Sequence, residues 1–187
     1  MVLKTRKCKH CKTVFQKTSP LHSLCSPKCA IANAESLKLK REAVAARKSR
    51  IDTKTKLDKI KSLTDWLKDA ERYCNKYVRL RDENLPCISC GTTKNVQYAA
   101  GHYRTVKAAP HLRFNLDNIQ KQCNSYCNRH LSGNISEYRP NLIKKIGIER
   151  VEALENNNDI HRYTIEEAKE ILAKFRKLCR EFKSTIG

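Results

Sequence analysis

Eight of the ten cysteines in this 187-residue chain fall in four close pairs, Cys8 with Cys11, Cys25 with Cys29, Cys87 with Cys90 and Cys123 with Cys127. That pairing constrains the fold more than any other feature. A short gap lets one tight turn aim two thiolates at a single tetrahedral ion, with bonds of about 2.3 Å, and the ion replaces a core too small to fold alone. A disulfide scaffold is the competing use of so many cysteines. However, the start MVLKTRK leads into cysteines and not into a signal-peptide core, and close pairs set among lysines fit metal better. Two structural Zn²⁺ ions are therefore expected, one on Cys8, Cys11, Cys25 and Cys29, the other on Cys87, Cys90, Cys123 and Cys127. His10 and His22 are near the first set, but four cysteines already complete its shell. Cys74 and Cys179 stand at apolar positions of helical patterns and read as buried thiols.

The rest of the chain reads as helix, so the predicted class is α+β and mostly helical. Four segments are expected: a zinc knuckle over 1–30, a long basic helical arm over 31–82, a zinc-stabilised core over 83–138 and a helical tail over 139–187. The arm has no Gly before Gly91 and no Pro between Pro27 and Pro86, which predicts one long helix. Its apolar residues run at heptad spacing, Leu37, Val44 and Ile51, then Ile60, Leu67 and Cys74 beside Leu63, Ala70 and Tyr77. Such a stripe suits a second helix, either the tail or another subunit, so a homodimer through the arm is an expectation. In the tail, Pro140 opens a helix that Gly147 closes, and Thr164 with Glu167 makes a capping box. After that box Ile165, Ala168, Ile171, Leu172, Phe175, Leu178 and Phe182 share one face, as core packing requires.

Charge bears on the partner. Lys and Arg number 39 against 19 Asp and Glu, a net charge of +20, and residues 1–82 carry 22 of those bases but only 8 of the acids. A polyanion is the natural partner, and nucleic acid the first hypothesis. A charge run can also be no more than a solvated helix face. No apolar run approaches the roughly 18 residues that span a bilayer, so no membrane is expected and the cytoplasm, that of the host if the chain is phage-encoded, is the expected location.

The second cysteine cluster differs from the first in what lies between its pairs, AGHYRT at 100–105 and FNLDNIQKQC at 114–123. A polar histidine sits in a strand-like stretch, followed by an asparagine-rich turn and a short helix entered through the cysteines. Arg104, Arg113 and Lys107 are candidate DNA contacts, since a guanidinium matches phosphate geometry.

These residues resemble the zinc-containing HNH, or ββα-metal, nucleases, including the endonuclease VII type of junction resolvase. That resemblance implies that His102 is the general base, that Asn118 braces the loop carrying it, and that Asn128 ligates a catalytic Mg²⁺ or Mn²⁺, with His130 a further possible ligand. An imidazole of pKa near ~6.5 suits a base at neutral pH. Many such nucleases place an acid before the histidine, where this chain has Gly101. Asp82, Glu83, Asp117, His130 and Asn134 stand as alternatives to complete the shell. Taken in order, CKHC, LPCISCG, AGHYRT, NIQKQC, CNRHLSGN, YRPNLIKKIG and HRYTIEEAK resemble the NinG (Rap) recombination proteins of lambda-like phages over essentially the whole chain. That implies an endonuclease acting on branched DNA such as Holliday junctions and D-loops. The last cysteine pair has three intervening residues where two are usual in the family. The competing reading is a noncatalytic zinc-dependent DNA-binding protein.

Overall fold

The computed structural model describes residues 4–186, so the first three residues of the expected 1–30 module lie outside it. The chain divides between Ile60 and Lys61 into two compact units.

The first unit begins with a hairpin of β1 (Thr5–Lys7) and β2 (Val14–Gln16), antiparallel with Arg6 opposite Phe15. Cys8 and Cys11 lie in its turn, and Cys25 and Cys29 flank the start of helix α1 (Pro27–Ile60). Ser26 opens that helix: its carbonyl accepts from the Ala30 N–H and its hydroxyl from the Cys29 N–H. α1 buries none of its residues, and Leu37, Val44 and Ile51 are all exposed.

The second unit begins where the predicted long helix breaks. Lys61 and Ser62 separate α1 from α2 (Leu63–Arg81), because Ser62 caps a new helix. Its hydroxyl accepts from the Asp65 N–H at 3.2 Å, and the Asp65 carboxylate accepts from the Ser62 N–H at 3.3 Å. The continuous helix expected over 31–82 is thus two helices. The second apolar run does find a helical partner, the tail helix α5 (Ile165–Ile186). Trp66 and Ala70 pack with Ala168 and Leu172, then Cys74 and Val78 with Phe175 and Ile119. Burial pushes the Cys74 thiol up to about 12, as suits an inert core thiol. Thr164 and Glu167 form the predicted box, with bonds of 2.7 and 3.2 Å.

Between these helices lies the hairpin of β3 (Tyr98–His102) and β4 (Ile119–Cys123), antiparallel with His102 opposite Ile119 and Tyr98 opposite Cys123. A wide π-helical turn, Asn124–His130, follows β4. Helix α3 runs from Ile135 to Ile146, so Pro140 lies inside it and does not open it. Gly147, at φ +88°, ends it as predicted and leads into α4 (Ile148–Asn156). Tyr138 and Leu142 of α3 and Val151 and Leu154 of α4 close over Tyr103, Ala109 and Leu112 of the β3–β4 connection.

β4 is buried along its whole length, although IQKQC reads as polar. A charged network satisfies Gln120 and Lys121, while the buried Gln122 Oε1 has no hydrogen-bond partner among the described residues. The Gln120 amide oxygen accepts from Arg81 at 2.7 Å and Lys145 at 2.6 Å, and Lys121 Nζ donates to the Glu83 and Leu85 carbonyls. Asp82 accepts from Arg81, Lys145 and the Lys121 N–H. Burial alone would raise the Asp82 carboxyl, but the two cations hold it below the usual range.

Two cysteine clusters and a histidine pocket

Each cluster brings four thiolate donors within 4.8 Å of one another, and the two are wired alike. In both CxxC turns the first cysteine N–H donates to a threonine carbonyl five residues on at 2.9 Å, Cys8 to Thr13 and Cys87 to Thr92. The residue after the second cysteine takes a left-handed φ, +65° at Lys12 and +69° at Gly91, and donates its N–H back to the first cysteine's carbonyl. The third cysteine's N–H points at the first sulfur, Cys25 at Cys8 (3.4 Å) and Cys123 at Cys87 (3.3 Å). Donors aimed at sulfur favour thiolate, the form that binds metal. Both sets could hold a zinc ion, and four thiolates leave no open position, which suits scaffolding and not chemistry. The extra residue between Cys123 and Cys127 is taken up by the π-helical turn, where one inserted residue widens the helix, and Cys127 N–H still reaches Cys123 Sγ at 3.3 Å. His10 and His22 belong to neither set.

The strand end and the π-helical turn bring His102 and Asn128 to the walls of one pocket of about 280 Å³, together with Ala100, Thr105, Val106, Ser132, Gly133 and Ile135. His102 Nε2 lies 3.1 Å from the Arg113 carbonyl oxygen. A carbonyl only accepts, so Nε2 carries the proton and Nδ1 keeps its lone pair in the neutral ring. Burial lowers the His102 pKa, outweighing the raising effect of the Arg113 carbonyl and of Glu71. Asn118, fully buried, ties the loop after β3 together. Its Oδ1 accepts from the Arg104 N–H at 2.8 Å, while Nδ2 donates to the Arg104 carbonyl at 3.0 Å and the Leu112 carbonyl at 3.3 Å.

Other expected site residues are not brought there. His130 is exposed and stacks on Tyr126, away from the pocket walls. Asp82 is buried between Arg81 and Lys145, Asp117 pairs with Arg150, Glu83 is exposed outside the pocket, and Asn134 reaches Cys127 Sγ at 3.6 Å. Among the described residues no carboxylate lines the pocket, so its residues do not by themselves make a divalent-cation shell. Gly101 is fixed by its neighbour. A Cβ there would press into Gln122 Oε1 and lie 3.1 Å from Gln122 Cβ and Cδ, and that side chain is buried with its amide nitrogen on Ser89 and Gly133.

The two arginines are engaged within the fold. Arg104 donates to the Leu154, Glu155 and Asn157 carbonyls, closing the C-terminal end of α4. Arg113 pairs with Glu71 of α2 through Nε and Nη2. Their expected use as phosphate contacts therefore competes with these bonds, and Lys107 is left as the exposed cation of the three. Glu71 is a site residue that sequence reasoning missed. It holds Arg113, whose carbonyl meets His102, and nothing in its local sequence marks it out.

Among the described residues no helix is long and apolar enough to cross a membrane. No solved structure matches the chain. The chain is 40% identical over 193 residues to protein ninG of Escherichia phage lambda, covering 96% of this chain and 94% of that protein. The corresponding protein of Enterobacteria phage H19B is 41% identical over 191 residues, with 96% and 94% covered. That of Salmonella phage P22 is 38% identical over 193 residues, with 96% and 95% covered. The family model described as Bacteriophage Lambda NinG protein matches residues 1–185, and the chain belongs to that family.

Proposed function

We propose that the chain is a phage recombination endonuclease that hydrolyses phosphodiesters in branched DNA. The observation that carries this reading is the shared pocket of His102 and Asn128, with His102 held as its Nε2–H tautomer by the Arg113 carbonyl. In that tautomer Nδ1 takes a proton from water, the hydroxide oxygen attacks phosphorus, and one ester bond breaks as its oxygen departs. Asn118 keeps the loop that bears Arg113 in register with β3. Asn128 offers the scissile group an amide from the wall of the same pocket.

Two structural zinc ions are part of the proposal, supported by the two sets of converging thiolates. A requirement for Mg²⁺ or Mn²⁺ comes from the nuclease resemblance alone. With Asn128 as the one expected ligand on the pocket wall, such an ion would have to bring phosphate oxygens and water as the rest of its shell. The exposed, strongly basic α1 is the proposed DNA-gripping arm. Leu37, Val44 and Ile51 on α1 offer a stripe for a second copy, which paired cuts across a junction would require.

The lack of a carboxylate on the wall of the His102 pocket, among the described residues, favours a second reading, a noncatalytic DNA-binding recombination protein. Both readings predict binding that weakens steeply with salt. Cleavage separates them: synthetic four-way, flapped and linear DNA is incubated with Mg²⁺ or Mn²⁺ and the wild type, His102→Ala or Asn128→Ala. The nuclease reading expects the wild type to cut branched DNA and His102→Ala to lose about 10²-fold or more. A folded wild type that cuts nothing leaves the binding protein.

A further inference from the structure

The chain holds four Phe, one Trp and seven Tyr, and all but one are buried or half-buried. The exception is Tyr126, 57% exposed. It stands on the π-helical turn that also carries Asn128, and its ring stacks on His130, with centroids 5.9 Å apart and planes 24° from parallel. The turn is pinned from beneath. Cys127 is fully buried, its N–H meets Cys123 Sγ, and the Leu131 N–H closes onto the Tyr126 carbonyl at 2.9 Å. An aromatic face held out to water on so short and anchored a turn gains nothing for the core and costs little further ordering when it binds.

We propose that Tyr126 and His130 form a stacking platform for an unpaired nucleobase next to the His102–Asn128 pocket. The proposal deepens the nuclease reading and rests on it for the position of the cut. Residues 126 and 130 share one side of the turn, while Asn128 lies on the other with Asn124, whose Oδ1 is 3.4 Å from its Nδ2. A strand crossing the turn would set a phosphate at Asn128 and a neighbouring base on Tyr126. Ser125 and Arg129, both exposed, flank the ring with a hydroxyl and a guanidinium suited to the backbone. In a continuous duplex each base face is covered by its neighbours. At a branch point or flap one is open, and stacking on an aromatic ring is indifferent to which base it is. The platform thus selects for a DNA discontinuity without reading sequence, and the second unit's own excess of bases, 23 Lys and Arg against 15 Asp and Glu over residues 61–187, together with the exposed Arg129 beside the ring, favours DNA over a protein partner on this face.

The test measures binding of the full zinc-loaded chain without added Mg²⁺ or Mn²⁺. The probes are a linear duplex and the same duplex bearing a single-stranded flap whose first unpaired base is a fluorescent purine analogue. The wild type is expected to bind the flap more tightly and to quench the analogue. Tyr126→Ala is expected to lose about tenfold in flap affinity and to abolish quenching, with duplex affinity, melting temperature and zinc content unchanged. Tyr126→Phe is expected to retain both signals. Unchanged flap affinity in Tyr126→Ala, or an equal loss on flap and duplex, overturns the proposal, as does a loss confined to self-association in sedimentation. Since nothing is cut, a protein that passes this test and never cleaves would sink the nuclease reading while upholding the platform.

Discussion

At the residue scale the site depends on neighbours that hold His102, more than on the histidine itself. Burial keeps its imidazole below the usual range, and in the proposed mechanism the neutral ring is the base. Cleavage should therefore persist as pH falls through ~6.5, the ordinary histidine value, with the acid limb below it, and a titration of His102 by NMR should place its midpoint there. Because the folded value is the depressed one, the same group lowers stability as pH falls from about 6.5 toward that value. An acid limb at or above the ordinary value would contradict the burial. Gly101 yields a steric prediction. Gly101→Asp, which would supply the carboxylate the nuclease pattern places there, is expected to destabilise by about 1–3 kcal/mol through overpacking against Gln122, as read by denaturant melts. Arg104→Ala should cost about 2 kcal/mol by releasing the carbonyls at the end of α4, and should leave DNA affinity unchanged. A large affinity loss at full stability would restore the phosphate role expected of Arg104.

Among the elements, spacing was the legible part. Cysteine gaps located both metal-competent clusters, apolar periodicity located α5 and its packing face, and Thr164 with Glu167 located its start. The break between α1 and α2 went unread because its signal is a Ser-x-x-Asp box inside a lysine-rich stretch, where no Gly or Pro marks a stop. Ser62→Ala is expected to lose about 1 kcal/mol of stability in the second unit, measured by thermal melting, and an unchanged melt would deny the cap its role. β4 was harder still. Gln120, Lys121 and Gln122 are polar in sequence and buried in the fold, and their partners, Arg81, Asp82 and Lys145 for the first two and Ser89 and Gly133 for the third, are mostly distant in sequence. Asn128 could be placed from its cysteine neighbour. His130 could not, because its side of a π-helical turn depends on a geometry that the three-residue gap does not announce.

On the scale of the whole molecule, two small units are each expected to be organised about a Cys₄ cluster. Elemental analysis should find two zinc ions per chain, and a chelator strong enough to remove them should unfold both units. Retained structure with no metal would contradict the scaffold role. The basic α1 belongs to the first unit and the His102 pocket to the second, so the proposed binding and the proposed cutting are expected to be separable. The central claim concerns cutting, and cleavage of a four-way junction by the wild type and by His102→Ala, each zinc-loaded and supplied with Mg²⁺ or Mn²⁺, tests it most directly. Cutting of the junction in preference to linear duplex by the wild type, lost in His102→Ala with DNA binding intact, is the predicted result. Equal cutting by the two proteins, or none by either, would contradict it.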